Sequence, residues 1–422
     1  MRSLCCDDRS LLLAIRVPRH SVPASAAALA APPGGGRPAR SRRRALAACL
    51  AAVVTVSVLL PSAGRAQGAL STQGFGYPIG GLGARAAASG GSLAEFDHLS
   101  ARNPAAVAGW GRSGLYFQYD PELRTLQSGE LTDRTTTARF GTLGAGFIVG
   151  ERWTIGVSSH SFLDRSWSTS VRSGQRLGDD SVSFTERFSS RGGIGDKRLA
   201  VAYRLFQRLT VGGGLHLYSG ENRLNLVREF DDSVRFGTLD RDVTLSYTGT
   251  GASAGFVLTP ARWISLAGSV RQGGTMRLRV VDTVRSEAKV PSRYGGAVRL
   301  DAIPGITLMG SVDRIEWSRM NGLGSSQAAA RDGWDHGVGA EFAGQRTRNA
   351  AWVYSLGYRQ RDLPFRANGA VVSERSVSGG VSLPLAGPRG TIDVALQRAT
   401  REAAGSTSER AWLVSVGLSV RP

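Results

Sequence analysis

The chain closes on "AWLVSVGLSVRP" (Ala411–Pro422). Trp412, Val414, Val416, Leu418 and Val420 share one parity; Leu413, Ser415, Gly417, Ser419 and Arg421 share the other. Successive side chains of a strand point to opposite faces, so the stretch reads as a strand with one apolar face and one small, mostly polar face. The pattern recurs upstream. In Leu209–Tyr218 the apolar parity is Leu209, Val211, Gly213, Leu215 and Leu217, against Thr210, Gly212, Gly214, His216 and Tyr218. Trp352–Arg359 sets Trp352, Tyr354, Leu356 and Tyr358 against Val353, Ser355, Gly357 and Arg359, and Thr391–Gln397 sets Ile392, Val394 and Leu396 against Thr391, Asp393, Ala395 and Gln397. A soluble sandwich would turn the apolar parity inward, whereas a membrane barrel turns it out to lipid.

The spacing of connections separates these architectures. Six short turns recur: "GER" (Gly150–Arg152), "FQR" (Phe206–Arg208), "PAR" (Pro260–Arg262), "IPG" (Ile303–Gly305), "GQRTRN" (Gly344–Asn349) and "AGPRG" (Ala386–Gly390). Seven longer, polar and charged connections lie near 126–133, 166–194, 221–242, 282–290, 319–333, 361–374 and 401–410. The two kinds alternate strictly, and thirteen connections join fourteen strands. The sequence therefore predicts an all-β fold, a 14-stranded antiparallel transmembrane β-barrel, with short turns on one rim and long loops on the other. Membrane-crossing strands of about 9–11 residues suit this spacing. An even strand number lets the last strand close on the first, near "SGLYFQYD" (Ser113–Asp120), so it needs no cap.

Trp153, Trp263 and Trp352 follow short turns and are expected to form an interfacial girdle, with Arg152 and Arg208 just outside it. Trp317, Trp334 and Trp412 are expected near the long-loop rim. The phase breaks once. In "ITLMGSVDRIEW" the apolar parity runs Ile306, Leu308, Gly310, Val312 and then reaches Arg314. Either a bulge near Asp313 resets the register or the strand has already left the membrane; nine residues make about one crossing, which favours the second.

"ARSRRR" (Ala39–Arg44) followed by the apolar run Ala45–Leu60 and Gly64-Arg65-Ala66 reads as an export signal cleaved before Gln67. Its 16 residues are short for a membrane helix. "LAAC" (Leu46–Cys49) opens the apolar run where a lipoprotein box should follow it, and the residues after Arg42-Arg43 fit a twin-arginine signal poorly. All three cysteines (Cys5, Cys6, Cys49) fall in this leader, so the exported chain has neither disulfides nor thiolate metal sites. Ten arginines and two aspartates lie in residues 1–66, leaving +11 of the net +19 to the rest. Those cations are spread over turns, loops and one strand face without interleaved aromatics, which argues against a nucleic-acid partner. No apolar run approaches ~18 residues, which excludes a helical membrane protein. The domains expected are a leader (1–66), an amino-terminal segment (67–111) and an outer-membrane barrel (112–422).

Residues 67–111 do not alternate. Small residues dominate, and Asn103 can cap a short helix with Pro104 at its first position and Gly109 ending it. Small side chains suit close contact in a confined space, so the segment is expected to plug the barrel or sit at its periplasmic side; a flexible linker is the alternative. Here "GARAAASGGSLAEFDHLSARNPAAVAGW" resembles the amino-terminal pattern of FadL/TodX-type outer-membrane proteins and their PorV-like relatives. The matching positions are Arg85, Ala87, Gly90, Gly91, Asp97, Asn103, Pro104 and Ala105. "LGYRQRDLPF", "VSERSVSGGVSLPL" and the run Pro291–Trp317 also resemble FadL-like barrels. The resemblance implies a plug or gate motif at Arg85, Gly90, Gly91, Asp97, Asn103 and Pro104, within a gate spanning Arg85–Ala108. It also implies capture of a small hydrophobic ligand, long-chain fatty-acid-like, from the outer side and release after the plug shifts, often sideways into the membrane. Such barrels usually end in an aromatic that the outer-membrane assembly machinery reads; here the last residues are Val420-Arg421-Pro422.

Catalytic motifs are missing. The five histidines (His20, His98, His160, His216, His336) are isolated, without metal-ligand spacing, and Asp179-Asp180 and Asp231-Asp232 lie in loops. The expectation is no enzyme, no metal and no cofactor. His216, Tyr218, Arg359, Asp393 and Gln397 are the lumen-facing candidates, and loops 166–194 and 221–242 the candidate capture sites. The expected partners are outer-membrane lipid, a hydrophobic small molecule and the assembly machinery, in the outer membrane of a Gram-negative-type cell. Three functions remain open: passage of hydrophobic compounds, a PorV-like non-conducting adaptor for secreted proteins, and a soluble secreted β-protein. A polar, Gly-rich lumen stands against the first.

Overall fold

The computed structural model describes residues 76–421, apart from 129–130, 178–179, 324–328, 348–349, 368–369, 386–388 and 403–406. The expected leader and residues 67–75 lie outside the described residues. Seventeen strands occur among these: β1 (Tyr77–Pro78), β2 (Gly114–Ser128), β3 (Leu131–Val149), β4 (Trp153–Asp164), β5 (Trp167–Leu177), β6 (Asp180–Phe206), β7 (Leu209–Phe230), β8 (Leu239–Ala261), β9 (Ile264–Val280), β10 (Thr283–Lys289), β11 (Arg293–Ile303), β12 (Ile306–Ile315), β13 (Gly333–Thr347), β14 (Ala350–Ala367), β15 (Ala370–Leu385), β16 (Gly390–Glu402) and β17 (Thr407–Val420). Fourteen of them form a closed antiparallel barrel; β1, β5 and β10 are additions to it. The last strand closes on the first, from Val420 beside Leu115 to Thr407 beside Ser128. The thirteen connections fall where the alternation of short and long segments places them.

The long connections differ in kind from the polar loops expected. The strands themselves continue: β6, β7 and β8 run for 27, 22 and 23 residues, far beyond the ~9–11 that a crossing needs. β5 pairs with the outer half of β6, from Leu177 beside Asp180 to Trp167 beside Ser190. Segments such as "SVSFTERFSS" keep a two-residue period beneath their charge, and the period rather than the polarity decides the backbone.

Face assignment follows the alternation. Leu215 is 65% and Leu356 57% exposed, while His216 and Ser355 beside them are buried, and Trp263 in the turn between β8 and β9 is 54% exposed. Apolar residues face out around the wall, the arrangement that lipid rather than water favours. Trp153, Trp352, Trp334 and Trp412 also face out. The ladder between β12 and β13 is continuous through Arg314 and Trp334, so no bulge resets the phase. Arg314 lies outward, 5.2 Å from the centre of the Trp334 ring and 3.7 Å from Asp332. Trp317 departs from the rim position expected of it. It opens a 3-10 helix, Trp317–Leu323, and turns inward to stack on Phe162 at 5.5 Å.

The segment before β2 folds against the inner wall. A short helix α1 (Ala84–Ala88) lies near β14–β17, and a 3-10 helix, Pro104–Trp110, lies near β3, β4 and β6–β8. The Ala105 N–H donates to the Asn103 side chain at 2.9 Å, the cap expected of it. The helix ends at Gly111, with φ 61°, rather than at Gly109. Glycine-rich inward faces provide the seats. A Cβ on Gly156 would lie 2.7 Å from Val107, and one on Gly212 2.5 Å from the Ala105 nitrogen. Across the lumen, Gly337 and Gly380 would meet Gly90 and Ala88 at 2.5 and 2.7 Å. Much of the glycine content therefore serves close approach between wall and segment.

Candidate functional site: the barrel lumen

Three layers fill the lumen. At the short-turn end a cavity of about 560 Å³ opens between the amino-terminal segment and the wall, lined by Arg85, Phe96, Asp97, His98, Glu341 and Asp393 among others. Arg85 grips Glu341 with two charge-assisted bonds, Nε to Oε1 at 2.6 Å and Nη2 to Oε2 at 2.7 Å. Asp97 accepts from the Ser100 hydroxyl at 2.6 Å and the Leu99 N–H at 3.1 Å, which fixes the local turn. Burial pushes His98 down to about 4, Arg421 adding to the effect and Asp97 opposing it. Arg421 Nη2 lies 3.2 Å from His98 Nε2.

The middle layer is built of buried ion pairs, because charged residues occupy the inward parity of strands around the circumference. Tyr77 lies at its heart. The guanidiniums of Arg401, Arg361, Arg139 and Arg124 stand 4.4, 4.8, 5.2 and 5.6 Å from its ring centre. Its hydroxyl donates to Glu374 at 2.8 Å and accepts from Arg401 at 2.8 Å and from Arg361. Burial pushes the Tyr77 phenol up to about 12, with Arg361 and Arg401 opposing. Arg401 also bonds Glu374 at 2.6 Å, Glu122 at 2.8 Å and Glu409. Farther round, Arg102 of the segment bonds Asp313 at 2.7 Å, Arg359 bonds Asp335 at 2.7 Å, and Arg293 joins Glu95 to Asp313. A third group centres on Asp196, which lies 2.9 Å from His216 Nδ1; His216 Nε2 is 2.9 Å from the Ser253 hydroxyl.

The outer layer is apolar. Phe162, Tyr218, Tyr247, Met276, Met320 and Phe365 belong to one buried cluster, roofed by the 3-10 helix that carries Trp317. A small cavity of about 40 Å³ lies beneath it, between Phe162, Trp317, Arg102 and Arg359. The polar lumen expected from the strand faces thus holds only for the inner two layers.

A seam runs down the wall beside this cluster. β3 and β4 pair from Val149–Trp153 as far as Thr142–His160. β4 then bulges between Ser161 and Leu163, and its end pairs with β1, Leu163 beside Pro78 and Asp164 beside Tyr77. Among the described residues the outer part of β3 is paired only with β2, and β5 only with β6. A side-chain bond crosses the seam, Arg139 Nε to Asp164 Oδ2 at 2.7 Å.

The structure places the sequence-derived candidates as follows. Arg85 and Asp97 line the inner cavity with Asp393. Gly90 and Gly91 form a turn with φ +66° and +81°, and the Gly90 N–H donates to Ser378 at 3.1 Å. The Asn103 amide donates to the carbonyls of Glu95 and Phe256, both at 3.0 Å, tying the segment to β8; Pro104 is buried against Gly212. His216, Tyr218, Arg359 and Asp393 are buried on the inward face, and Gln397 is half-buried there, donating to Ser376 at 2.7 Å. These residues do not form one constellation. Sequence reading missed Tyr77, Glu122, Glu374, Arg401 and the Phe162–Trp317 stack. Following the inward parity outward past the membrane-length core of each strand would have found Glu122, Glu374 and Arg401. Among the described residues no cluster of three His, Cys, Asp or Glu could hold a metal ion.

The fold and lumen define a class, a fourteen-stranded barrel of membrane type with its bore occupied by its own amino-terminal segment. No protein-family model matches the sequence, and no curated protein matches it. Solved structures share the fold. A FadL homologue from Pseudomonas aeruginosa superposes with a TM-score of 0.56 at 13% identity, over 82% of this chain and 99% of that one. The toluene transporter TodX of P. putida gives 0.53 at 13% identity over 82% and 99%, and the monoaromatic hydrocarbon channel CymD 0.52 at 14% over 82% and 98%.

Proposed function

We propose that this chain is an outer-membrane channel for small hydrophobic compounds, with residues Tyr77–Gly111 as its plug. The observation that carries the reading is the apolar cluster at the long-loop mouth, directly beside the seam between β3 and β4. A ligand held by Phe162, Tyr218 and Trp317 stands next to a stretch of wall that lacks backbone pairing and is crossed by the Arg139–Asp164 bond. Sideways release there opens the Arg139–Asp164 bond and spares a greasy molecule the rest of the charged middle layer. The channels with which the fold is shared are described as carrying monoaromatic hydrocarbons or toluene, which supports this class of cargo over a polar solute.

The resting cavity of about 40 Å³ is far below the ~150 Å³ that accommodates a benzene ring. Binding therefore displaces the Trp317 helix or the plug, and a long acyl chain demands more displacement than a single aromatic ring. Uptake of radiolabelled toluene and of a long-chain fatty acid into cells lacking the gene, and into the same cells carrying it, tests the reading. Equal uptake of every hydrophobic substrate would sink it. The projecting sheet of β5–β8 favours a second reading, an adaptor that holds secreted proteins; co-purification of a secreted protein with unchanged uptake would select it.

A further inference from the structure

The lipid-facing side of the barrel carries a group of cations that the lumen does not explain. On β15, β16 and β17 the outward face is apolar through Val381, Leu396 and Val414, and then Arg375, Arg398 and Arg410 appear on it, all exposed. The ladder fixes their arrangement. Arg375 and Arg410 both stand beside Thr400, one on each side, while Arg398, two residues below Thr400, stands between Val377 and Trp412. Strands lie about 4.8 Å apart and rise about 3.4 Å per residue, which puts the Arg375 and Arg410 Cα atoms about 10 Å apart and Arg398 about 8 Å from each. Three guanidiniums can meet over one small group at that spacing. Arg134 continues the row, since Arg410 stands beside Thr125 and Thr125 beside Arg134.

Some outward arginines have acidic partners, Arg172 with Asp231, Arg277 with Glu287, and Arg314 with Asp332, whereas exposed arginines without one among the described residues, such as Arg187, Arg191 and Arg223, stand farther from the short-turn rim on β6 and β7. Among the described residues Arg375, Arg398 and Arg410 have none within 4.0 Å. The neighbouring acids Glu122, Glu374 and Glu409 point into the lumen, where they are held by Arg401, and Glu402 is exposed on the outward face two residues beyond Thr400, on the loop side of the group. Arg398 is oriented by the Trp412 ring, 5.5 Å from its centre. Below the cations lies a continuous apolar wall with an aromatic at its edge. An occupant must match both, an anion of more than one charge above and hydrocarbon chains below.

We propose that Arg375, Arg398 and Arg410 form a docking site for the phosphate of a phosphorylated glycolipid in the outer leaflet, its acyl chains lying along β15–β17. Arginine suits this role because its planar fork pairs bidentately with phosphate oxygens, and each basic residue near a lipid surface adds to the attraction. The site rests on the outward face meeting lipid and is independent of what the lumen carries.

Detergent-solubilised full chain titrated with bisphosphorylated lipid A, with the same lipid dephosphorylated, and with inorganic phosphate tests the proposal, read by native mass spectrometry. Wild type should hold the bisphosphorylated lipid at least about tenfold more tightly than the dephosphorylated form. Arg375→Gln/Arg398→Gln/Arg410→Gln should lose that preference, while Arg172→Gln/Arg277→Gln should keep it. Heat-dependent gel migration checks that each variant forms a barrel; should the triple variant fail to form one, the three single variants are compared, each expected to weaken the preference severalfold. A preference that survives in every variant overturns the proposal. Displacement of the lipid by inorganic phosphate at equal concentration overturns it too, because the site would then be one for the free ion.

Discussion

Arg401→Met should loosen the amino-terminal segment while leaving the barrel closed. Arg401 is fully buried and bonds Glu374 at 2.6 Å, Glu122 at 2.8 Å, Glu409 and the Tyr77 hydroxyl at 2.8 Å. The cluster around Tyr77 balances Arg124, Arg139, Arg361 and Arg401 against Glu122, Asp164, Glu374 and Glu409. Methionine fills a similar volume and removes one positive charge, leaving an uncompensated carboxylate in a dry site. Breaking a buried pair in this way costs about 3–5 kcal/mol. The carboxylates sit on wall strands, whereas Tyr77 belongs to the amino-terminal segment. When that segment leaves, water enters and solvates the unbalanced charge, so the penalty weighs on the plugged state. Release should then rise by roughly 150- to 5,000-fold. Tyr77→Phe deletes only the hydroxyl and its hydrogen bonds, and should cost about 1–3 kcal/mol. Arg401→Met/Glu409→Gln restores neutrality and should recover part of the loss.

Planar-bilayer conductance reports the open fraction, and protease cleavage within residues 76–111 reports release of the segment. Arg401→Met is expected to show frequent openings and rapid cleavage with unchanged heat-dependent migration, Tyr77→Phe an intermediate effect, and the double variant less than Arg401→Met alone. Wild-type conductance and protease resistance in Arg401→Met would refute the reasoning, since a buried, unbalanced carboxylate would then have cost nothing.

Acid should weaken docking of the segment through His98. Its folded pKa of about 4 lies below the ordinary ~6.5, so stability is complete above ~6.5 and declines as pH falls toward 4, by up to about 3 kcal/mol; hydrogen exchange of residues 97–110 should accelerate over that window in wild type and far less in His98→Gln. Gly212→Val forces a side chain against Pro104 and Ala105, at a cost of about 1–3 kcal/mol or more; protease sensitivity of residues 76–111 should rise while the barrel persists. Arg139→Ala removes the bond across the seam, and hydrogen exchange at Ser161–Asp164 should quicken severalfold relative to the rest of β4. Leu215→Arg places a charge on the outward face at a cost of about 2–4 kcal/mol in lipid. Barrel yield in membranes should fall, whereas the same substitution at a position exposed to water would be neutral.

The wall was legible in the sequence because its period is two and its punctuation is dense. Short turns such as Phe206–Arg208 and Pro260–Arg262 interrupt runs whose parity holds over long stretches, as in β7 and β17. The outer hairpins were not legible as strands, since Arg187, Arg191, Glu221 and Arg223 read as loop chemistry when composition is weighed before period. The lumen was legible only in part. Inward positions can be listed from parity, but partners cannot: Tyr77 and Arg401 are 324 residues apart, and nothing local marks them as neighbours. The Trp317 helix was missed for a related reason. Its inward turn depends on Phe162, which a distant strand presents through a bulge.

The glycines and the arginines of the lumen are two answers to one constraint. A barrel of fourteen strands has a bore too wide for its own inward side chains to fill and too narrow to admit a domain. Where the segment crosses close to the wall, at Gly156, Gly212, Gly337 and Gly380, the wall gives up its side chains and main chains nearly touch. Where the segment stands away, long side chains span the gap, and on an inward face without hydrocarbon the spanning residues are arginines paired with carboxylates. The two devices differ in how they yield. Close contact of small residues is lost with a small shift of the backbone, whereas each ion pair must exchange its partner for water. A greasy ligand pressing on the apolar roof can supply displacement but no new charge. The charged layer therefore resists such a ligand, and the paired ladder of β3 and β4 ends at Thr142 and His160, so that the wall beside the roof is crossed by one pair of that layer, Arg139 and Asp164.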